Sequence, residues 1–273
     1  MKVTYKNKKL TESKNGKGGD YTVKYSNNIK TGTASVEVKL MGNYTGTKLA
    51  SFKIISKTFS MKGKKAIVFG DSVQTAKYGE YIIYECKKLG AKKTTNRAVG
   101  GAMVANRNGS NNIQHQIAKA KKDGLLGKYD YYFIAAGVND MNWGKHPLGK
   151  KTDTDANTVC GGINKAIKTI NSAHVKATGY NAKIIVVTPT GLPYKQDKIA
   201  KYRKAIAETA KRHTSCTKVI DGTKISTNSE HARYCNGSVH PTKSFARKTM
   251  APRVGKELNK ITEWLITPTK AKK

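Results

Sequence analysis

Three stretches of this chain are apolar without interruption: Ala66-Ile67-Val68-Phe69, Tyr131-Tyr132-Phe133-Ile134-Ala135 and Ile184-Ile185-Val186-Val187. A strand with one wet face alternates apolar and polar residues, whereas an unbroken run belongs to a strand covered on both faces. Between the runs, apolar residues fall at helical spacing. Tyr78, Ile82, Glu85/Cys86 and Leu89 form one such stripe, Val159, Ile163, Ala166/Ile167 and Ile170 a second, and Ile199, Tyr202/Arg203 and Ile206 a third. A short strand at Val219-Ile220 follows, then a last helix over 243–266, broken or bent near Pro252. Strands that alternate with helices pair in parallel, and the helices cover both faces of the sheet. The expected architecture over 66–268 is therefore α/β, a parallel sheet covered on both faces. Sites in such sheets lie at the carboxyl ends of the strands.

Residues 1–57 read differently. Tyr21-Thr22-Val23-Lys24-Tyr25 and Ala34-Ser35-Val36-Glu37-Val38-Lys39-Leu40 alternate, and Ser51-Phe52-Lys53-Ile54-Ile55 closes the set. Asn/Gly turns separate them at Asn15-Gly16, Ser26-Asn27-Asn28 and Gly42-Asn43. This is a small all-β module, marginal by itself. Residues 58–65 read as a linker and 269–273 as a basic tail.

Four segments stand where the sheet would place a site. Gly70-Asp71-Ser72 follows the first buried strand, and Gly70 permits a tight turn that presents Ser72 at the start of a helix. Asn96-Arg97-Ala98-Val99-Gly100-Gly101 ends a short strand with two glycines, which allow a backbone to approach a ligand closely. Gly137-Val138-Asn139-Asp140 follows the second buried strand and offers the Asn139 side-chain amide. Ser238-Val239-His240-Pro241 precedes the last helix, with Pro241 suited to its first position. Singly, each is an ordinary turn or cap. Together they supply a nucleophile, a backbone donor, an amide donor and a base, the parts that acyl transfer needs.

Their order and spacing resemble the SGNH/GDSL hydrolases over roughly residues 64–260. Gly70-Asp71-Ser72 is similar to the first block of that family, Asn96 to Gly101 to the second, Gly137 to Asp140 to the third, and His240-Pro241 to the fifth. The resemblance implies a flavodoxin-like three-layer parallel sheet and a serine esterase in which His240 takes the Ser72 proton. The Ser72 and Gly101 N–H groups and the Asn139 amide would then hold the oxyanion. Asp71, Gly100 and Asp140 are expected as substrate contacts, and no metal or cofactor is expected. One position departs: the family's usual Asp, three residues before the His, is Gly237 here. A backbone carbonyl, Asn236 or Glu230 would then orient the imidazole, or Ser72 and His240 would work as a dyad. Residues 3–55 are similar to the Ig-like repeats of bacterial surface and secreted proteins, through Val3-Thr4-Tyr5, Asp20-Tyr21-Thr22-Val23 and Gly42-Asn43-Tyr44-Thr45-Gly46. The strand that usually precedes the Val3 equivalent is absent, so the first edge is expected to be exposed or paired with another chain.

The charge bears on partners. Lys and Arg number 52 against 17 Asp and Glu, a formal net charge of +35, with +9 of it in residues 1–57 and +26 beyond. Such a chain attracts polyanions. The cations are scattered, and no zinc-finger spacing, basic heptad region or aromatic RNA-binding signature accompanies them, so nucleic acid is not indicated. An acylated polysaccharide or an anionic wall or capsule surface fits the charge and the chemistry. The alternative is a non-catalytic surface or phage-virion protein on the same fold. No segment is apolar enough for a membrane span. The first residues, Met1-Lys2-Val3-Thr4-Tyr5, read as a strand and not as a signal peptide; an extracellular or cell-surface location, or a virion, is expected all the same. Of the four cysteines, Cys86 falls on an apolar helix face, Cys160 is set aside, and Cys216 and Cys235 could pair in an oxidising compartment. None forms the close pair of a zinc site.

Overall fold

A computed structural model describes residues 3–13, 18–27, 32–54, 59–106, 109–144, 146–235 and 238–261. The chain divides into two compact units, Met1–Lys57 and Thr58–Lys273.

The first unit is all β. Strands β1 (Thr4–Tyr5) and β2 (Lys8–Lys9) form an antiparallel hairpin. Its turn residues Lys6 and Asn7 both have positive φ, of 43° and 63°, as a tight two-residue hairpin requires. Strands β3 (Tyr21–Ser26), β4 (Gly32–Leu40) and β5 (Thr47–Ile54) form an antiparallel sheet with β4 in the centre. Its register sets Tyr21 opposite Leu40 and Val23 opposite Val38. β5 begins four residues before the apolar run suggests, because backbone pairing continues through Thr47 to Ala50 where side chains stay wet. Among the described residues, Leu10, Tyr21, Ala34 and Val36 are its buried apolar side chains. A core this thin stabilises little.

The second unit holds a five-stranded parallel sheet. Its elements are β6 (Lys65–Gly70), α1 (Tyr81–Lys88), β7 (Lys93–Asn96), α2 (Ile113–Lys122), β8 (Tyr131–Ala135) and α3 (Val159–Thr178). Then come β9 (Ile184–Val187), α4 (Gln196–Lys211), β10 (Thr217–Ile220), α5 (Asn228–Tyr234), the single turn α6 (Lys243–Phe245) and α7 (Ala251–Asn259). The strand order is β7-β6-β8-β9-β10, the flavodoxin-like order. Winding reverses between β6 and β8, the switch point where such sheets bind ligands.

Strand side chains alternate between two cores. Ile67, Phe69, Tyr132, Ile134, Ile184 and Val186 pack with α2, α3 and α4. Ala66, Val68, Tyr131, Phe133, Ile185 and Val187 pack with α1 and α7 on the other face. This is the three-layer sandwich expected from the unbroken apolar runs.

Within the segment read as a linker, Phe59 and Met61 are buried in the second core, and Phe59 meets Tyr131 at 4.9 Å between ring centroids. Lys65 already belongs to β6. The last helix is interrupted near Pro252, as its sequence suggests: a wide five-residue turn at Ala246–Met250 precedes α7, and Pro252 sits in the first turn of α7. Proline donates no N–H to the preceding turn, so the widening falls there. α7 ends at Asn259, and residues 262–268, with the basic tail, lie outside the described residues.

Candidate active site

The turn after β6 builds the first part of the site. Gly70 sits so close to β8 that a Cβ there would stand 2.6 Å from the Ala135 carbonyl oxygen. Only glycine fits. The Gln116 side-chain amide brackets it, accepting from Gly70 N–H at 2.9 Å and donating to Gly70 C=O at 2.8 Å. Two such bonds, each worth about 1 kcal/mol, fix the strand end. Ser72 then opens a 3₁₀ turn, Ser72–Gln74, with Asp71 as its cap: Asp71 Oδ1 accepts from Val73 N–H at 3.0 Å. The first N–H of such a turn, here that of Ser72, is not used by the turn itself.

His240 reaches this serine from 168 residues away. Its Nε2 lies 2.8 Å from Ser72 Oγ. Its ring stacks on Tyr78, with centroids 3.9 Å apart and planes 8° from parallel. Its Nδ1 faces the Ser238 hydroxyl at 3.3 Å, and its backbone N–H donates to the same oxygen at 3.2 Å. The loop beneath is held by His231, whose buried ring lies 2.9 Å from the Val239 carbonyl through Nε2 and 3.1 Å from Ser226 Oγ through Nδ1. Burial, and then the nearby Lys77 charge, hold the His240 imidazole below its usual pKa.

The expected substitutes for the missing acid fare differently. Glu230 is committed elsewhere. It closes the capping box of α5 with Thr227 and takes a two-pronged ion pair from Arg253 at 2.6 and 2.7 Å. The Arg253 hydrogen bonds push its carboxyl down to about 2. Asn236 and Gly237 lie outside the described residues. The partner that the structure supplies is Ser238, which the sequence placed in the right segment without assigning it a task. Its signal was a hydroxyl two residues before the histidine.

Gly100, Gly101 and Asn139 line the same cleft as Ser72 and His240. Gly101 has φ of +76°, a conformation that β-carbon-bearing residues rarely adopt. Asn111 Nδ2 donates to Gly100 C=O at 2.9 Å and steadies this turn. Asn139 Nδ2 gives one hydrogen to Ala102 C=O at 3.0 Å, and an amide carries a second.

Asp71 and Asp140 are corrections. Neither lines the cleft. Asp140 is fully buried, and its carboxylate accepts from the N–H groups of Val104 and Ala105, both at 2.8 Å. His146 Nδ1 lies 3.2 Å away. Asp140, expected as a substrate contact, is thus turned to the loop that follows the two glycines. Asp71 points inward, and its carboxyl is pushed up to about 7, chiefly by burial. An acid that prefers its proton in the folded state stabilises fully below the unfolded value of about 3.9, and that benefit is lost as pH rises through 7. Asp71→Asn keeps the capping oxygen and removes the charge. It is expected to raise the unfolding midpoint at pH 8 by several degrees and to change it little at pH 4, read by calorimetry. A shift that is the same at both pH values would contradict the assignment.

All four cysteines are free and buried, so Cys216 and Cys235 do not pair. Burial pushes the Cys86 and Cys235 thiols up to about 12 and Cys216 to about 11. Cys86 sits in the second core, as its helix face implied. Among the described residues no group of three metal-ligating side chains gathers, and no helix is long and apolar enough to cross a membrane.

A sheet wound 2-1-3-4-5 with serine and histidine joined at its switch point defines a class of hydrolase-like α/β folds. The profile of the GDSL-like lipase/acylhydrolase family matches residues 68–248, and the chain belongs to that family. No curated protein matches. Solved structures share the fold. A protein from Lactobacillus plantarum is 16% identical with a TM-score of 0.53, covering 72% of this chain and 97% of its own. A protein assigned to the G-D-S-L family of lipolytic proteins, from Desulfitobacterium hafniense, is 16% identical with a TM-score of 0.52, covering 71% of this chain and 98% of its own. An acetylxylan esterase from Geobacillus stearothermophilus, solved as a catalytic mutant, is 17% identical with a TM-score of 0.49, covering 76% of this chain and 98% of its own.

Proposed function

We propose that this protein is a serine esterase that removes short acyl groups, acetate above all, from an acylated glycan. The observation that carries the reading is the 2.8 Å contact between His240 Nε2 and Ser72 Oγ, with the histidine held on its other side. A retired site would have no reason to keep the ring stacked, bonded and aimed. The non-catalytic surface or virion reading expects an unoriented histidine, and the observed geometry counts against it.

In the proposed reaction, His240 Nε2 takes the Ser72 proton as Oγ attacks the ester carbonyl. The N–H groups of Ser72 and Gly101 and the free Asn139 N–H receive the developing oxyanion. His240 then gives its proton to the leaving alcohol, and water releases the acyl group by the same path reversed. Ser238 is the positioning residue. Its oxygen accepts the Nδ1–H, which selects the tautomer with Nε2 free to act as base. A neutral hydroxyl stabilises imidazolium less than a carboxylate does, so the base stays weak, and the acid limb of the rate lies low.

The limb of kcat/KM is expected below pH 6.5, since burial and Lys77 both disfavour the charged ring. Ser238→Asp should raise it, because a carboxylate favours imidazolium. Ser238→Ala should lower kcat about 10–100-fold, the value of one hydrogen bond to a charged group, and Ser238→Thr should restore most of it. A limb unmoved by Ser238→Asp would remove Ser238 from this role.

The net charge of +35 suits a substrate on an anionic wall, capsule or surface, and an extracellular setting follows from that substrate. We read residues 1–57 as an Ig-like attachment module, with β1 exposed along its edge. The direct test is acetate release from acetylated polysaccharide, together with fluorophosphonate labelling of Ser72. Absence of both in the folded protein would overturn the reading.

A further inference from the structure

The cleft over Ser72 and His240 encloses about 480 Å³, far more than an acetyl group fills. Its wall beyond the reacting groups is unusual. Among the described residues, Val239 is the one aliphatic side chain lining it, while Tyr78, Trp143 and Tyr194 supply rings. A fatty acyl chain needs a continuous apolar channel to bury its methylenes, whereas here Ser72, Thr75, Lys77, Asn139 and Ser238 interrupt the apolar wall. Aromatic faces beside open water suit a different shape: a ring with an apolar C–H face and a polar rim, which is a sugar.

Trp143 is 76% exposed, the highest value among the described large apolar side chains. A lone exposed apolar residue needs no explanation. Trp143, however, stands four residues after Asn139, in a wide helical turn at Asp140–Gly144. Such turns recur at functional sites. The turn is rigidly based, since Asp140 is bonded to Val104 and Ala105 and Met141 is fully buried. Asn142 Nδ2 donates to Tyr194 Oη at 3.2 Å, so the loop before α4 is tied to the turn that carries Trp143. The two rings therefore belong to one braced rim. His240 stacks on the Tyr78 ring and Lys77 Nζ lies over it, 5.4 Å from its centroid; the Tyr194 ring has Lys195 over one face, so a ligand has the Trp143 ring and the other face of Tyr194. Exposed cations flank them: Lys77 lines the cleft, and Lys195 Nζ lies 5.9 Å from the Tyr194 ring centroid.

We propose that Trp143 and Tyr194 form a stacking subsite for the sugar ring that bears the ester, so that the enzyme takes short acyl groups on glycans and rejects fatty acyl esters. This rests on the reading of Ser72 and His240 as the ester-cleaving pair. The shared ligand chemistry is an O-acetylated pyranose, from a neutral or an acidic glycan.

The test uses the full chain carrying Ser72→Ala, so that binding is read without turnover. It is titrated with acetylated xylo-oligosaccharide and, separately, with acetylated oligogalacturonate, following the heat of binding by isothermal titration calorimetry. Binding of at least one probe is expected, weakened at least tenfold by adding Trp143→Ala and severalfold by Tyr194→Ala. Tighter binding of the acidic probe, lost in salt, would identify the cations' share. In the active protein, Trp143→Ala should lower kcat/KM on the acetylated glycan at least tenfold more than on p-nitrophenyl acetate. Trp143 is exposed, so its removal leaves no core cavity. Equal losses on both substrates, equal binding with and without Trp143, no binding of either probe, or faster cleavage of p-nitrophenyl octanoate than of the acetate would each overturn the subsite. Cleavage of p-nitrophenyl acetate without any Trp143 effect sinks the subsite and leaves the esterase standing. Trp143-dependent binding without any hydrolysis by the unmutated protein sinks the esterase and leaves the subsite.

Discussion

Ser72→Ala is expected to lower kcat for p-nitrophenyl acetate by about 10⁴-fold or more, with the protein still folded. Removing the nucleophile from a serine hydrolase leaves only what the oxyanion donors and binding contribute, which is itself about 10³–10⁴ over water. The substitution is structurally mild. The Ser72 side chain contacts His240 Nε2, while the turn around it is held by Asp71, Gln116 and Thr75 Oγ1, which donates to the Ser72 carbonyl at 2.7 Å. Steady-state kinetics with circular dichroism and calorimetry would check it, and fluorophosphonate labelling should vanish in the same variant. A rate within tenfold of the unmutated protein would place the chemistry elsewhere.

Asn139→Ala is expected to cost about 10²–10³ in kcat with KM nearly unchanged. A donor aimed at charge that develops only in the transition state lowers the barrier without tightening the ground state. The same change removes the bond to the Ala102 carbonyl, so a shifted glycine loop is the competing explanation. That loop has independent support, because Asp140 holds Val104 and Ala105 and Asn111 holds Gly100. An unchanged melting temperature with a large fall in kcat would identify the oxyanion role. A fall matched by a large rise in KM would point to loop displacement.

Much of this was legible in advance. β8 and β9 occupy the residues of their apolar runs, because a strand buried on both faces admits no polar residue that could blur its limits. β7 (Lys-Thr-Thr-Asn) showed only as a short strand before the two glycines, and α2 did not show at all. β7 is an edge strand without an apolar residue, and its pairing to β6 is made by backbone. α2 buries only Ile113, Gln116, Ile117 and Ala120, a stripe too narrow and too polar to declare itself. The break of the last helix expected near Pro252 falls just before it, at Ala246–Met250.

The site divides along the same line. Local sequence determined the serine turn, the two glycines, the asparagine and the histidine, because each needs a particular backbone geometry at a strand or helix end. That Asp71 and Asp140 turn inward, that Glu230 is taken by Arg253, that Ser238 rather than a carboxylate faces His240, and that Trp143 and Tyr194 share one rim were decided by tertiary structure alone. These are relations between segments far apart in the chain. A side chain's direction depends on which partners the folded sheet brings within bonding distance, and no local pattern encodes that.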